Sequence, residues 1–461
     1  MNRRRLVCVK AMLALAHTVV PLEVARSQIE SDQAPVAGQQ GLTLSQCLSL
    51  AESNGVQLGE ARAKRAHAEA QLLEARLVPF GEASARAGIG LAPTVQGTPI
   101  YSPDTDQALS SNLALGWQVS LSTTLPLWTF GKLTAAREAA EAGVDLSKAE
   151  LEKERSELRQ LVKRAYYGVL FATDVQLLLD EAEQVLGKHV RRLEDELEED
   201  EGDEVTFFKL QMSLADLEGR RYQAQAQRRI ALSALGFLVG KGRNAEVQDV
   251  PLPEPPASLG PLTRYLAAAR IHRPEINMAR AGVRAREAQV RLERARFYPD
   301  VGLTVGADWR RAPEVTDQVN PFVNDPANFF RFNVAVGLQW RLDTLPRIAK
   351  VAQAQAKLEE VRATERYALG GIATEVEEAY EQARQAQARL GALVRAADYA
   401  RKWLISIQQG IDIGAYEADD LVSPAREYAT KRFEELTARY DFHVSLGRLA
   451  VATGWDPFKY D

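Results

Sequence analysis

The chain has 461 residues, 46% of them apolar and 26% charged, with a formal net charge of −5. That length can bury two or three cores, and the mild acidity gives no reason to expect nucleic acid as a partner. Its two cysteines are Cys8, in the N-terminal leader, and Cys47, so a mature chain is expected to form no intramolecular disulfide.

Arg3, Arg4 and Arg5 precede a mostly apolar stretch, Leu6 to Val20, and a polar segment with Pro35 and Gly38 follows. This pattern predicts an export signal over residues 1–27, with cleavage in the region Val24 to Ser27; the alternative is a frayed amphipathic N-terminus. Neither cysteine has the setting of a lipid anchor. No later segment reaches the ~18 uninterrupted apolar residues of a membrane helix, so any membrane insertion must come from strands.

Along the chain, a helix is predicted over roughly Val56 to Val78 and a strand over Ala83 to Ala92. After a loop rich in Pro, Gly, Ser and Asp comes a second strand, "LALGWQVSLSTTLPL", with Leu113, Leu115, Trp117, Val119, Leu121, Thr123, Leu125 and Leu127 on one face. No proline interrupts the stretch between Pro126 and Pro251, and from Lys132 a helix can run to Gly202, about 105 Å at ~1.5 Å per residue. Its apolar stripe (Leu151, Leu158, Leu161, Val162, Ala165, Tyr166, Val169) is narrow, as in coiled-coil packing. The return, Val205 to Gly240, spans only about 54 Å, and stacking the roughly 35 Å N-terminal helix on it nearly makes up the length.

The second half repeats this order. "RAYYGVL" at Arg164 resembles "EAYEQAR" at Glu378, and "LSALGFLVG" at Leu232 resembles "LGRLAVATG" at Leu446, both 214 positions apart (380 − 166 for the tyrosines, 446 − 232 for the leucines). The repeats are placed at 41–246 and 262–456, joined by a proline-rich linker, 247–261. Strand segments are expected within 83–128 and 300–342; in "NFFRFNVAVGLQWRL" apolar Phe330 to Leu342 alternate with polar or small residues. Trp128 and Trp340 at the helix-proximal ends, and Trp309 and Phe330 near the loops, make the interfacial girdles of a transmembrane barrel. Four strands cannot close a barrel, so two, three or four chains must pool eight, twelve or sixteen.

Over nearly all of the mature chain, the duplicated helix-strand-strand-helix unit, "LTLSQCLSLA" at Leu42, "PLWTFGK" at Pro126 and "RAYYGVL" resemble the TolC-like outer-membrane efflux family. The resemblance implies a mostly α, α+β fold. Three protomers give a twelve-stranded barrel, four strands each, in the outer membrane of a diderm bacterium, continued by a periplasmic α-helical tunnel. It implies as partners a periplasmic adaptor and an inner-membrane pump or ABC transporter, and no cofactor. "IGAYEADDL" resembles the family's tip motif at Gly414, Asp420 and Leu421, although Ser423 stands where a second aspartate is common. By that likeness Asp419 and Asp420 are the periplasmic gate, and Gly202, Asp203, Glu204, Gly414, Ala415 and Leu421 form adaptor-contact tips.

Chemistry of other kinds has no residues behind it. His17, His67, His189, His272 and His443 are scattered without ligand spacing, so no metal site is expected, and "GFLVGKGR" lacks the spacing and the Ser or Thr of a phosphate loop. The chain is not read as an enzyme. The rival reading is a soluble periplasmic coiled-coil scaffold or adaptor, whose strands need no full-length apolar face.

Overall fold

The computed structural model describes residues 41–96, 108–199, 203–255, 258–316, 322, 324–416 and 418–456. The predicted signal, residues 1–27, lies outside them, as does Gly202.

Two short helices, α1 (Leu44–Asn54) and α2 (Gln57–Leu77), lead into strands β1 (Glu82–Gln96) and β2 (Ala108–Trp128); α3 (Lys132–Glu198) runs away from the sheet and α4 (Glu204–Leu238) returns along it. The same order follows in α5 (Leu262–His272), α6 (Pro274–Ala295), β3 (Asp300–Arg311), β4 (Phe329–Gln339), α7 (Thr344–Asp412) and α8 (Val422–Thr453). Thr43 and Gln46 form a reciprocal capping box at the start of α1: the Thr43 hydroxyl accepts from the Gln46 amide at 3.2 Å and the Gln46 side chain accepts from the Thr43 amide at 3.0 Å.

The sequence predicts one helix ahead of the first strand pair; the structure has two before each pair. Gly55 ends α1 in an extended conformation, and Arg273 does the same to α5 because Pro274 follows it, which disfavours the helical region for the preceding residue.

The helix α3 packs against α2, α4, α6 and α8, while α7 packs against α6 and α8. The short helices meet end to end. Past α4, Gly240 (φ +72°) lies against Asn54, with a position for Cβ only 3.2 Å from the Asn54 Cβ; past α8, Gly454 (φ +63°) presses on the His272 carbonyl, where a Cβ would stand 2.6 Å from the oxygen. Positive φ and close backbone approach both select glycine. These two glycines are 214 residues apart, and the buried cores on either side are built from positions with the same spacing: Val162 and Val376, Leu235 and Leu449, Leu238 and Ala452.

The four strands form one antiparallel sheet in the order β1-β2-β3-β4. Ala87 opposes Val119, Val119 opposes Trp309, and Trp309 opposes Phe330, so the apolar positions of all four strands fall on one face.

The linker is strapped to the helices rather than looped out. Leu252 is buried in the first core, its amide donates to Asp174 at 2.9 Å, its carbonyl accepts from Arg439 at 3.3 Å, and the next carbonyl, of Pro253, accepts from His443 Nε2 at 2.9 Å. A carbonyl only accepts, so Nε2 carries the hydrogen. The ring is buried and stacked on Tyr167 at 4.3 Å; burial, reinforced by the nearby positive charges of Arg439 and Lys163, outweighs the Pro253 bond and holds its pKa below the ordinary 6.5. Half-buried His189 is depressed in the same direction by burial and by Arg192.

A base whose folded pKa is depressed is protonated first in the unfolded chain, so stability is complete above about pH 6.5 and is lost as pH falls from there towards the folded value. His443→Gln, which keeps a donor for Pro253 without titrating, is expected to show a flatter loss of thermal stability below pH 6.5, with the remainder from His189. Thermal scans across pH check this, and equal slopes in both proteins would remove His443 from the acid response.

Candidate functional site: the two faces of the sheet and the far turns

Period-2 alternation gives the sheet two chemically distinct faces. On one, Ile89, Leu91, Leu113, Leu115, Leu121, Phe332, Val334, Val336 and Leu338 are all exposed in the single chain. Among the described residues, no element covers them. Aromatic side chains close both ends of this apolar field. At the loop end Trp309 opposes Phe330, which is 65% exposed, and Trp117 meets Trp309 edge to face at 4.9 Å. At the helix end lie Trp128, level with Val301 and Leu338, and Trp340, 56% exposed, whose Nε1 donates to the Phe297 carbonyl at 3.0 Å. From Phe330 to Trp340 is ten residues of strand, about 34 Å, which a tilt near 40° reduces to ~26 Å, the height of a lipid-facing band.

The other face is polar or small. Ser84 and Ser122 hydroxyls meet at 2.8 Å, and Gly306 is buried because the Asn333 amide lies across it, 2.3 Å from where a Cβ would stand. Arg310 donates to Gln118 at 2.8 Å on the same face.

At the helix end the chain turns sharply. Phe130 takes positive φ (+51°), unusual for a residue with a side chain, and Gly131 follows at +87°. The Phe130 ring stacks on Tyr298 at 5.3 Å and meets Trp128 at 6.1 Å, which offsets the strain. Lys132 then reaches across to the start of β3, donating to Asp300 at 2.7 Å and to the Tyr298 carbonyl at 2.9 Å. This gives "PLWTFGK" a local reason: Phe130, Gly131 and Lys132 lock the two strand-helix junctions together. Sequence reasoning used this motif only for its resemblance and as the start of the long helix, and gave Phe130, Gly131 and Lys132 no individual role; an aromatic residue and glycine ending a period-2 run was the available signal.

The turns at the far ends of the long helices come together. Val422, at the start of α8, packs with the first turn's cluster of Val190, Leu193 and Leu210. Asp203 is the N-cap of α4, accepting from the Val205 and Thr206 amides at 3.0 and 3.2 Å and from the Thr206 hydroxyl at 2.5 Å. The Thr206 hydroxyl and these amides hold its carboxyl below the usual aspartate value. Glu204 opens that helix, where a carboxylate suits the positive end of the helix dipole. In the second turn α7 ends in a Schellman motif: the Gly414 amide donates to Ile411 at 2.9 Å and the Ala415 amide to Gly410 at 2.8 Å, with Gly414 at φ +73°. Tyr416 lies over Gly410, where a Cβ would meet the ring at 2.2 Å.

Asp420 is exposed in the 3-10 turn Ala418–Leu421, and the backbone of Asp419 belongs to the same turn. The side chain of Asp419 and the whole of Gly202 and Glu417 lie outside the described residues. Leu421 is only 4% exposed, so in the single chain it underpins the turn instead of presenting a contact.

Comparison with known proteins places this arrangement. A profile of the outer membrane efflux protein family matches residues 47–241 and 265–455. The cobalt-zinc-cadmium resistance protein CzcC of Cupriavidus metallidurans is 26% identical over 302 residues, 64% of this chain and 66% of that protein. Protein CyaE of Bordetella pertussis is 28% identical over 221 residues, 47% of this chain and 45% of its own. The chain thus spans just under two thirds of one curated relative and under half of the other. In fold it is similar to the open-state MtrE outer membrane channel of Neisseria gonorrhoeae, with TM-score 0.72 and 17% identity over 90% of this chain and 89% of that one. It is similar also to the outer membrane protein VceC of Vibrio cholerae, with TM-score 0.71 and 18% identity over 89% and 96%. With its profile matched in both halves and over well more than half its length, the chain belongs to the outer membrane efflux protein family.

Proposed function

We propose that this protein is the outer-membrane duct of a tripartite efflux or type I secretion system, a passive exit rather than an enzyme. The observation that carries the reading is the sheet: an apolar face exposed over its whole length, bounded by aromatic rows, with unpaired edges at β1 and β4. Hydrocarbon covers such a face, and closure with other copies satisfies such edges. Three protomers then supply twelve strands, from segments 83–128 and 300–342, and their long helices continue the barrel as a periplasmic tunnel. In this reading residues 1–27 are the export signal, and repeats 41–246 and 262–456 flank the linker 247–261.

At the far end the acidic run "EDELEEDEGDE", Glu194 to Glu204, and the turn with Asp419 and Asp420 ring the tunnel mouth with negative charge, drawing cations in. Asp419 and Asp420 form the constriction. Gly202, Asp203, Glu204, Gly414 and Ala415 make the surface that a periplasmic adaptor grips, with Leu421 as its buried support. An inner-membrane pump or ABC transporter delivers the cargo through that adaptor. A soluble scaffold, the rival reading, leaves the apolar face without a cover.

Fractionation tests the reading directly: a heat-modifiable oligomer is expected in the outer membrane, and release of the protein by salt or carbonate washing overturns it. Within the sheet, a charged residue at Leu115, Leu121, Val334 or Val336 is expected to destabilise the assembled protein by about 2–4 kcal/mol if it lies at mid-bilayer, while changes at Gln118 or Gln339 are tolerated. An assembly assay in which both faces respond alike counts against the membrane assignment. Changing Asp419 and Asp420 together to Ala is expected to raise single-channel conductance and lower cation preference in a planar bilayer. Unchanged values in a correctly assembled double variant would remove the pair from the gate.

A further inference from the structure

We propose that the outer mouth of the barrel holds a binding site for polyvalent anions, formed by Arg86, Arg310 and Arg331 beside an inward-folded β3–β4 connection. The inference rests on the reading that the polar face of the sheet lines the lumen.

The register puts these residues together. Arg86 opposes Ser120, Ser120 opposes Asp308, and Asp308 opposes Arg331, so one line across the sheet carries arginine on both edge strands. Arg310 lies two residues further out on β3, opposite Gln118 and Phe329, and therefore on the same face. Asp308 is the one acid among these strand positions, an excess of two positive charges per chain on the wall itself, while Glu314 and Asp325 lie further out in the β3–β4 connection. The next line towards the helices, Ser84, Ser122, Gly306 and Asn333, is uncharged. Two of the guanidinium groups rest on neutral partners: Arg310 donates to the Gln118 amide oxygen at 2.8 Å and to the Pro326 carbonyl at 3.4 Å, and Arg331 lies over the Phe329 ring at 4.4 Å.

The described parts of the connection between β3 and β4, residues 312–316 and 324–328, fold back over this face. Ala312, Val315 and Ala327 are buried in one cluster with Ala114, packed against Ala92, and a Cβ on Gly116 would come within 2.8 Å of the Ala312 Cβ. Val95 donates to the Val315 carbonyl at 2.7 Å, which ties the connection to the end of β1. A knot holds it: Asp325 accepts from Thr316, Asn328 and the Ala327 amide at 2.8–2.9 Å, and the Asn328 side chain brackets the backbone of Ala312. Small residues at 92, 114 and 116 are what let the backbone lie so close. The three arginines stay exposed to the lumen just inside the level at which this connection narrows the mouth, and a narrowed mouth concentrates their field more than an open wall does. Closing the barrel makes β4 of one copy the neighbour of β1 of the next, so Arg331 and Arg86 flank each seam. Planar guanidinium forks suit phosphate, sulfate and carboxylate oxygens.

The test is sided block of single channels by inorganic triphosphate, in a planar bilayer of zwitterionic phospholipid, which contributes no phosphate-rich glycolipid. The long helical end cannot cross a bilayer, so adding protein to one chamber fixes its orientation. Triphosphate is expected to block from the strand-loop side at lower concentration than from the helix side, and less as salt is raised. Combining Arg86→Gln, Arg310→Gln and Arg331→Gln should raise the half-blocking concentration about tenfold or more, whereas the three Lys substitutions retain sided block. A conducting wild-type channel that is indifferent to triphosphate, or blocked equally from both sides, overturns the proposal, as does unaltered block in a glutamine variant that still forms the heat-modifiable oligomer. An oligomer that inserts and never conducts instead overturns the channel reading, and this inference with it.

Discussion

Backbone pairing at the edges of a four-stranded sheet is the constraint on which the rest of this structure depends. Among the described residues the outer edges of β1 and β4 have no neighbouring strand, and the face between them is apolar for its full length. In water such a sheet invites aggregation, and in hydrocarbon each unpaired group costs several kcal/mol. The only low-energy state is one in which both edges and the apolar face are covered at once. The helices follow from the same requirement: strands that leave the sheet on one side only must be continued by elements that pack with few apolar residues, and α3 and α7 do so through narrow stripes of Leu, Val, Ala and Tyr.

Charge is distributed unevenly along the molecule, one-signed at the far turns and mixed at the strand-loop end, where Asp308, Glu314 and Asp325 accompany the arginines. Carboxylates concentrate at the far turns, and guanidinium groups beside the strand loops. The middle of the polar face is neutral, built of Ser, Thr, Gly and Asn. Few of the surface ion pairs between helices are buried, so they add little to stability singly and serve mainly to set the register of neighbouring helices.

Much of this was legible in the sequence because it depends on periods. Alternation over 11 to 21 residues marks a strand, stretches without proline beyond the first helical turn allow helices of 67 and 69 residues, and the 214-residue spacing ties the two halves to each other. What was not legible depends on contacts between distant parts. The fold-back of the β3–β4 connection needs Ala312 to find Ala114 and Gly116, which no local pattern announces. Asp203 reads as one more carboxylate in an acidic run, yet it is an N-cap, since only the helix start selects it from its neighbours. Leu421 fits a tip motif by spacing, but an apolar side chain beside a turn finds cover within its own chain. The break before α6 had a visible cause in Pro274, whereas the strained turn at Phe130 becomes intelligible only with Tyr298 in place to receive its ring.

The glycine junctions have a mechanical meaning. At Gly240 and Gly454 the short helices abut without a covalent link along the axis, so load passes across van der Waals contact and not through peptide bonds. Beside each joint an unbroken rod, α3 or α7, carries the only continuous backbone from the sheet to the far turns. At the level of the two glycines, cohesion therefore comes from the two rods and from the side-chain packing of the cores built beside the joints, not from continuous backbone in every helix.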